Sequence, residues 1–240
     1  MRHPSPPRLT DDALLLPLMS GVQWIRKLTD ALAGIRTYAI DPARMKEPQV
    51  PDDGRTLRSD GSNVASVVRE LRKTDRWPTL MAILQAAVPQ VQDVEAKRQG
   101  ARLSLNFRLA QGAGESVQFE GFQASDGTLR ILGILLALLQ KPTPTLVALE
   151  KPEANIHLGA LGVLLDAIRY ASASTQVVVT TQSPDLLDAD WIKAENIRLV
   201  EWQNGVSDAR ELSGGTADVL QRHLRTPGEL LRSGALESSD

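Results

Sequence analysis

The sequence predicts an α/β fold in which a mostly parallel sheet is layered with helices and carries antiparallel hairpin additions. Two patterns support this prediction. Between residues 125 and 180, apolar helical segments alternate with short apolar strands, which is typical of a parallel sheet buried on both faces. Residues 103–109 instead alternate strictly between apolar and polar side chains, which indicates a strand with one exposed face.

The first hundred residues are expected to be mostly helix and loop. Residues 1–12 are rich in proline and polar side chains and are predicted to be a disordered tail. Apolar residues at helical spacing (Trp24, Ile25, Leu28, Leu32) predict a helix that ends near residue 34. The remaining expectations here are a strand at 35–40, a loop at 43–60 and helices at 62–73 and 78–87.

The second half supplies the sheet. The alternating strand at 103–109 is expected to turn at 111–114 into a partner strand through Val117 and Phe119. The elements that follow are predicted as a helix at 129–139, a strand at 145–149, a helix at 159–171, a strand at 176–180 and a closing hairpin around Asn204-Gly205. One lobe is therefore expected over residues 13–225, followed by a flexible tail at 226–240.

Composition narrows the classes of function. The 240 residues carry a net charge of −2, which implies no general affinity for polyanions. Basic clusters at 69–76 and 97–102 fit a solvated helix face or loop, or else a nucleic-acid contact. The absence of cysteine excludes disulfides, thiolate metal sites and thiol catalysis and is compatible with the cytoplasm. No apolar stretch approaches the ~20 residues of a membrane span, so no membrane partner is expected.

Three polar stretches flank the buried elements of the second half. They are Ser125-Asp126-Gly127-Thr128, Glu150-Lys151-Pro152-Glu153 and Thr180-Thr181-Gln182-Ser183-Pro184. The first opens a helix, where free N–H groups and the positive dipole end bind anions. Ser125 adds a hydroxyl there, and Gly127 lets backbone approach a phosphate. A plain helix cap explains the same tetrapeptide.

The two other stretches follow strands. Carboxylate oxygens such as those of Glu150 suit Mg²⁺. A lysine near the usual pKa of ~10.4 is protonated and cannot accept a proton from water, so Lys151 is expected to pair with Glu150 or Glu153 or to contact a phosphate. The amide of Gln182 can orient a water or donate to a phosphate, but it cannot shuttle protons. Ordinary strand ends followed by polar loops remain the alternative for both.

In this order and spacing, the stretches resemble the C-terminal lobe of the ABC-type P-loop ATPase heads of RecF/SMC-like and OLD-like proteins of the AAA family. The resemblance covers roughly residues 25–205 and includes 53–71, which resemble the region ahead of the signature helix in that group. It implies the fold class predicted above, an ATPase activity, and ATP and Mg²⁺ as cofactors.

The resemblance also implies roles for individual residues. Ser125–Thr128 would be the ABC signature, which reaches the γ-phosphate of nucleotide held by the opposite subunit. Glu150 would be the first acid of Walker B, which helps to hold Mg²⁺ through its hydration shell. Lys151 stands where the family has its water-polarising acid, and Gln182 stands where it has a switch histidine. Residues 154–157 fall where the family has the loop that crosses the dimer seam.

The sequence contains no Gly-x-x-x-x-Gly-Lys-[Ser/Thr], so it lacks the backbone cradle for nucleotide phosphates. Poor binding of ATP by the chain alone is expected, with a P-loop-containing lobe or a homologous ATPase subunit as partner and DNA as a candidate ligand. A separately encoded lobe, a fragment of a longer protein and a degenerate family member all remain open. Two functions follow: an ATPase lobe in DNA repair or defence, or a catalytically inactive scaffold that binds a partner subunit.

Overall fold

The computed structural model describes residues 22–111, 115–203 and 205–239. The strands are β1 (Ile35–Tyr38), β2 (Val91–Gln99), β3 (Arg102–Ala110), β4 (Ser116–Glu120), β5 (Leu146–Glu150), β6 (Gln176–Thr180), β7 (Leu199–Gln203) and β8 (Val206–Arg210). The α-helices are α1 (Gln23–Ala33), α2 (Pro42–Lys46), α3 (Val64–Leu71), α4 (Trp77–Ala87), α5 (Asp126–Leu139), α6 (Leu158–Ser172), α7 (Pro184–Leu187), α8 (Gly214–Gln221) and α9 (Pro227–Arg232). Short 3₁₀ turns occupy Gly121–Gln123 and Ala194–Asn196.

A three-stranded parallel sheet in the order β1-β5-β6 organises the fold. Tyr38 lies opposite Leu149, and Glu150 lies opposite Thr180, so the three strands end at one edge, called here the carboxyl edge. Helix α5 leads into β5 and α6 follows it, and in such alternating layers each helix runs antiparallel to its strands. The N-termini of α5 and α6 therefore lie at the carboxyl edge as well.

The parallel sheet has one buried and one open face, so the prediction that both of its faces are buried is wrong for the described residues. Tyr38, Val147 and Leu149 are buried on the first face, over which α5 is buried almost completely from Leu129 to its end. The apolar face of α5 also packs against α4 and α6, which makes it the centre of the core. On the opposite face, Val178 of β6 is 42% exposed.

The antiparallel sheet β2-β3-β4 forms a second layer, bridged to α5 by helix α3. The predicted hairpin of β3 with β4 is confirmed, with Phe107 stacked on Phe119 at a ring-centroid distance of 5.7 Å. The predicted exposed face of β3 is wrong for its first half, since Ser104 and Asn106 are buried. Strand β2 was not predicted, because charged and polar residues interrupt its apolar positions and the pairing shifts register between Val91 and Asp93. The helix-face interpretation of the basic cluster at 97–102 is therefore wrong, since these residues lie on β2, on β3 and at the turn between them.

The predicted α/β class with a parallel sheet, covering helices and antiparallel additions is confirmed. The segment 43–60, which was expected to be a loop, begins within helix α2. This helix forms because the Asp41 side chain accepts a hydrogen bond from the Ala43 N–H at 2.9 Å and because Pro42 suits a first helical turn. The predicted tail at 1–12, the start of the predicted lobe at 13–21, and Asn204 of the predicted turn lie outside the described residues, as do 112–114.

The structure places helix α9 in the segment for which the sequence predicted a flexible tail. Thr226 and Glu229 form a capping box at its start. Leu230 is buried in a small cluster with Leu212 and Leu220. The capping box is visible in the sequence as a Thr and a Glu three residues apart, and was the signal for this helix.

Candidate functional site at the carboxyl edge of the parallel sheet

The ends of β5 and β6 bring the second and third polar stretches together. The Lys151 N–H donates to the Thr180 carbonyl at 2.9 Å, which extends the pairing of the two strands by one residue. Glu150, Lys151 and Gln182 are all exposed just beyond this point. Within the described part of the chain, none of their side chains makes a hydrogen bond or an ion pair.

The expected ion pair of Lys151 with Glu150 or Glu153 is therefore wrong for this structure. Lys151 takes a left-handed backbone conformation with φ of 42°, so the chain turns sharply at this residue instead of continuing the strand. The turn leaves the ammonium group in solvent and the Glu150 carboxylate without a cation beside it.

The first polar stretch caps helix α5. The Ser125 hydroxyl accepts a hydrogen bond from the Thr128 N–H at 3.1 Å, and the two hydroxyl oxygens lie 2.8 Å apart. Asp126 is held by Lys46 of α2 at 2.6 Å. The helix N-terminus is thus a regular cap whose serine and acid are both engaged, while Ser125 and Asp126 stay exposed to an incoming ligand.

Gly127 joins this helix to the loop that follows β5, residues 151–157, called here the bridging loop. A Cβ at Gly127 would lie 2.6 Å from the Asn155 carbonyl oxygen, closer than real Cβ contacts allow. Only glycine permits this approach, so the first turn of α5 rests directly on the backbone of the bridging loop.

The other end of the bridging loop is tied to the stretch after β6. The Thr181 hydroxyl donates to Glu153 Oε1 at 2.6 Å and accepts a hydrogen bond from the Ser183 N–H at 2.9 Å. Ser183 in turn caps the short helix α7. The bridging loop therefore contacts the Ser125–Thr128 turn on one side and the turn that carries Gln182 on the other, and the structure brings all three predicted stretches to one edge.

The described residues of this edge do not form a metal site by themselves. Among residues 22–111, 115–203 and 205–239, no group of three or more His, Asp or Glu side chains is arranged to hold a metal ion. The free carboxylate of Glu150 offers hard oxygen ligands, and Mg²⁺ is commonly held by one or two carboxylates with waters and substrate phosphates. The donor set therefore fits a Mg²⁺ ion that arrives with nucleotide.

Two open cavities lie away from the carboxyl edge. The larger, about 570 Å³, is formed by α4 and the C-terminal ends of α5 and α6, with Arg76, Leu139 and Arg169 among its lining residues. The second, about 430 Å³, lies beside α3 and residues 53–55. No predicted site residue lines either one, so the candidate site is an open edge of the sheet.

The basic cluster at 69–76 is engaged in internal contacts. Arg72 pairs with Asp93 at 2.6 Å and lies over the Trp77 ring at 5.0 Å. Glu70 receives hydrogen bonds from Lys73 and Arg69, and these, the Lys73 bond foremost, lower the pKa of Glu70 below its ordinary value against the opposing effect of burial. The cluster is thus used to hold α3 in place.

Sequence reasoning missed three contacts of this site, those made by Lys46, Asn155 and Thr181. Lys46 meets Asp126 across 80 residues of chain, and no local pattern encodes such a pairing. Thr181 stood inside a stretch that the sequence did single out, but its bond to Glu153 depends on the turn at Lys151. Asn155 stood in the segment 154–157 that the resemblance singled out, but its contact with α5 was signalled only by the glycine at 127, which demands a close backbone neighbour.

Comparison with known proteins agrees with this picture. The family described as AAA domain, putative AbiEii toxin, Type IV TA system matches residues 28–188. The matched span begins within α1, contains the parallel sheet and all three polar stretches, and ends just after α7. No curated protein matches the sequence. Along the described residues, no helix combines the length and apolar character needed to cross a membrane.

Three solved structures show weak similarity. A chain from work on ATP-driven dimerization and DNA-stimulated activation of SMC ATPases aligns with a TM-score of 0.46 at 18% identity, over 65% of this chain and 95% of that one. The Smc head domain with a coiled coil and joint from Pyrococcus yayanosii aligns at 0.45 and 14% identity, over 62% of this chain and 29% of that one. The Smc head from Pyrococcus furiosus bound to the C-terminal domain of ScpA aligns at 0.44 and 16% identity, over 62% and 37%.

Proposed function

Since the chain belongs to the family described as AAA domain, putative AbiEii toxin, Type IV TA system, we propose that it is one lobe of a composite ATPase site. It is an ATPase-family domain, and in this proposal it supplies the signature and Walker B elements while a partner supplies the P-loop. The observation that carries the proposal is the bridging loop, which contacts both the Ser125–Thr128 turn and the turn of Gln182.

The proposed roles follow from the chemistry of each group. The N-terminus of α5, with the hydroxyls of Ser125 and Thr128, would bind the γ-phosphate of nucleotide held by the opposing subunit. Glu150 would accept hydrogen bonds from the water shell of Mg²⁺. Gln182 would orient the attacking water through its amide. Bound Mg-ATP would supply the reacting phosphate and the charge that neutralises it.

The outer edge of β6 is the proposed docking surface for the P-loop lobe. Within the described residues, no strand pairs with that edge, although its three central residues are all valine. The opposite edge is partly covered, because the Ala39 N–H donates to Ser59 just beyond the end of β1. Exposed backbone groups beside valine side chains recruit an extended strand, so the partner would add a parallel strand to β6.

We place this composite site in the cytoplasm, in DNA repair or in defence, with DNA as the candidate nucleic-acid ligand. This assignment is supported by the resemblance to RecF/SMC-like heads and by a cysteine-free sequence.

A second candidate function is an inactive scaffold that binds an ATPase subunit. It is favoured by Lys151, which the resemblance aligns with the water-polarising acid and which is exposed and makes no ion pair with any described carboxylate. A protonated amine there cannot accept a proton from water, so the lobe would contribute phosphate contacts and no turnover.

The test is ATP hydrolysis by the full chain mixed with a P-loop-containing lobe, beginning with one encoded beside it. Little hydrolysis is expected from the chain alone. Hydrolysis that appears on mixing and falls at least tenfold with Glu150→Gln or Ser125→Arg supports the composite site. Glu195→Gln and Ser207→Arg, at exposed positions far along the chain, are the matched controls and should leave the rate unchanged.

The two candidate functions differ in one further result. If the chain is an inactive scaffold, the mixture should bind nucleotide without turnover, and Lys151→Glu combined with Gln182→His should raise hydrolysis from near zero. No gain from that double change would contradict the assignment of these two positions. Unchanged hydrolysis in Glu150→Gln would overturn the composite site itself.

A further inference from the structure

Two charged side chains of opposite sign each keep a buried atom without a partner. Within the described residues, Arg130 Nε and Glu153 Oε2 are shielded from solvent and make no hydrogen bond. Both residues are half-buried as a whole, but a buried polar atom without a hydrogen bond costs about 1–3 kcal/mol, so native proteins keep few of them.

Both atoms belong to the contact between α5 and the bridging loop. Arg130 lies three residues after Gly127, and residues at that spacing share one face of a helix. Gly127 touches the carbonyl of Asn155, which is two residues from Glu153 in the bridging loop. Arg130 is therefore carried by the helix face that meets the bridging loop, and Glu153 by the loop itself.

In the part of the chain that the structure describes, no ion pair neutralises either charge. Asp126 lies one turn before Arg130 on the same helix face, but it is held by Lys46 at 2.6 Å. The other oxygen of Glu153 accepts from Thr181, a neutral hydroxyl that brings no positive charge. The guanidinium and the carboxylate are thus charged groups with a buried, unpartnered atom on the two sides of this contact, whereas Lys151 of the same loop is exposed to solvent.

We propose that Arg130 and Glu153 are positioning residues, whose side chains turn toward each other and form an ion pair across the contact that the bridging loop already makes with α5. A guanidinium can give parallel hydrogen bonds from Nε and Nη to one carboxylate, which matches the two unpartnered atoms. The pair would extend the chain of contacts from α5 through Glu153 and Thr181 to Ser183. The contact of nucleotide with the Ser125–Thr128 turn would thereby set the position of Gln182.

The link to hydrolysis rests on the proposed function, but the ion pair itself does not need nucleotide or partner. It is therefore tested in the full chain alone. The variants are Arg130→Glu, Glu153→Arg and the double swap, with Arg169→Glu as a control at an exposed and unpaired arginine of α6. The readout is amide hydrogen exchange of Ala154 and Ile156, whose N–H groups bond within the bridging loop.

Each single reversal is expected to speed this exchange at least tenfold. The double swap should exchange at least threefold more slowly than either single reversal, but it should not regain the native rate, because an arginine at position 153 cannot accept the hydrogen bond from Thr181. Arg169→Glu should change nothing. Additive effects, with no recovery in the double swap, would overturn the pair. If a charge reversal prevents folding, a double-mutant cycle of Arg130→Met and Glu153→Gln replaces it. If the two side chains form a pair, the second substitution should have no further effect on the exchange rate once the first has been made.

Hydrolysis separates this proposal from the previous one. Suppose that the exchange recovers in the double swap but the chain supports no turnover with any P-loop lobe. The ion pair is then supported and the composite site is refuted. If turnover requires Glu150 but is unchanged by Arg130→Glu and by Glu153→Arg, the composite site is supported. The positioning role of Arg130 and Glu153 is then refuted.

Discussion

The carbonyl oxygen of Asn155 lies 2.6 Å from the position that a Cβ on Gly127 would take. This contact joins the helix that opens at Ser125 to the bridging loop after β5. Because the neighbour is a backbone atom of a loop tied to Thr181 at its other end, it cannot move aside without shifting the turn that carries Gln182.

Gly127→Ala is therefore expected to destabilise the fold by about 1–3 kcal/mol through overpacking. Gly162→Ala is the matched control, since a Cβ at that exposed position of α6 meets nothing within 4 Å. It should stabilise the protein by about 0.5–1 kcal/mol through helix propensity. Urea unfolding followed by circular dichroism measures both, and equal effects of the two substitutions would contradict the contact.

The elements that the sequence predicted share a strong local pattern. Strand β6 and helix α5 have long apolar runs, and β3 alternates from residue to residue, so each could be identified without its neighbours. Strand β2 has no such pattern because its partner β3 supplies most of the buried side chains. The short helix α2 depended on one cap at Asp41, which is too small a signal inside a loop rich in Pro, Asp and Gly.

For the candidate site as well, the sequence predicted the features with a local pattern and not those that depend on tertiary contacts. The positions of Ser125, Glu150 and Gln182 could be predicted because each stands where a buried element begins or ends. Their connection could not, since it runs through a loop whose path depends on a left-handed turn at Lys151. Tertiary contacts of single side chains, such as Lys46 with Asp126, leave no periodic trace in a sequence.

The left-handed turn at Lys151 gives a second prediction. A non-glycine residue in this conformation costs roughly 1–2 kcal/mol, which glycine avoids at a smaller entropic cost. Lys151→Gly is expected to raise the free energy of unfolding by up to about 1 kcal/mol, whereas Lys151→Val should lower it by more than about 1 kcal/mol. Thermal unfolding measures the change.

The control for this change is the same substitution in a helix. Lys27→Gly in α1 should lower the free energy of unfolding by about 0.5–1 kcal/mol, because glycine is a poor helix residue. A loss of stability in Lys151→Gly as large as that in Lys27→Gly would show that the turn is not left-handed in solution.

The open edge of β6 gives a third prediction. The chain without a partner lobe is expected to self-associate as its concentration rises, because an unpaired strand edge with apolar side chains recruits other strands. Val178→Lys should reduce this association, since a charged side chain on an edge strand opposes pairing. Light scattering across a concentration series measures the mean mass.

Val206→Lys is the matched control for the edge. Val206 is 65% exposed, more than Val178, but it lies on the β7–β8 hairpin. If Val206→Lys reduces association and Val178→Lys does not, the self-associating surface is the β7–β8 hairpin. That result would contradict docking at β6.

The core of the parallel sheet gives a fourth prediction, in alkaline solution. Burial raises the pKa of the Tyr38 hydroxyl above its ordinary value of 10.0, against smaller opposing effects of the Gln140 hydrogen bond and of Arg36. A raised pKa means that the folded state favours the neutral phenol. The resulting stability is fully present below the unfolded pKa near 10 and is lost as pH rises through the folded pKa, by at most about 1.4 kcal/mol per pH unit.

Tyr38→Phe should therefore flatten the fall of unfolding free energy above pH 10. Near neutral pH the same change should cost about 0.5–1.5 kcal/mol for the lost hydrogen bond, because the Gln140 amide keeps a second bond to the Ala137 carbonyl. The other tyrosine of the chain, Tyr170, is 60% exposed and serves as the control. Urea unfolding between pH 8 and about pH 11 compares the variants, and an alkaline slope altered equally by Tyr170→Phe would contradict the assignment to Tyr38.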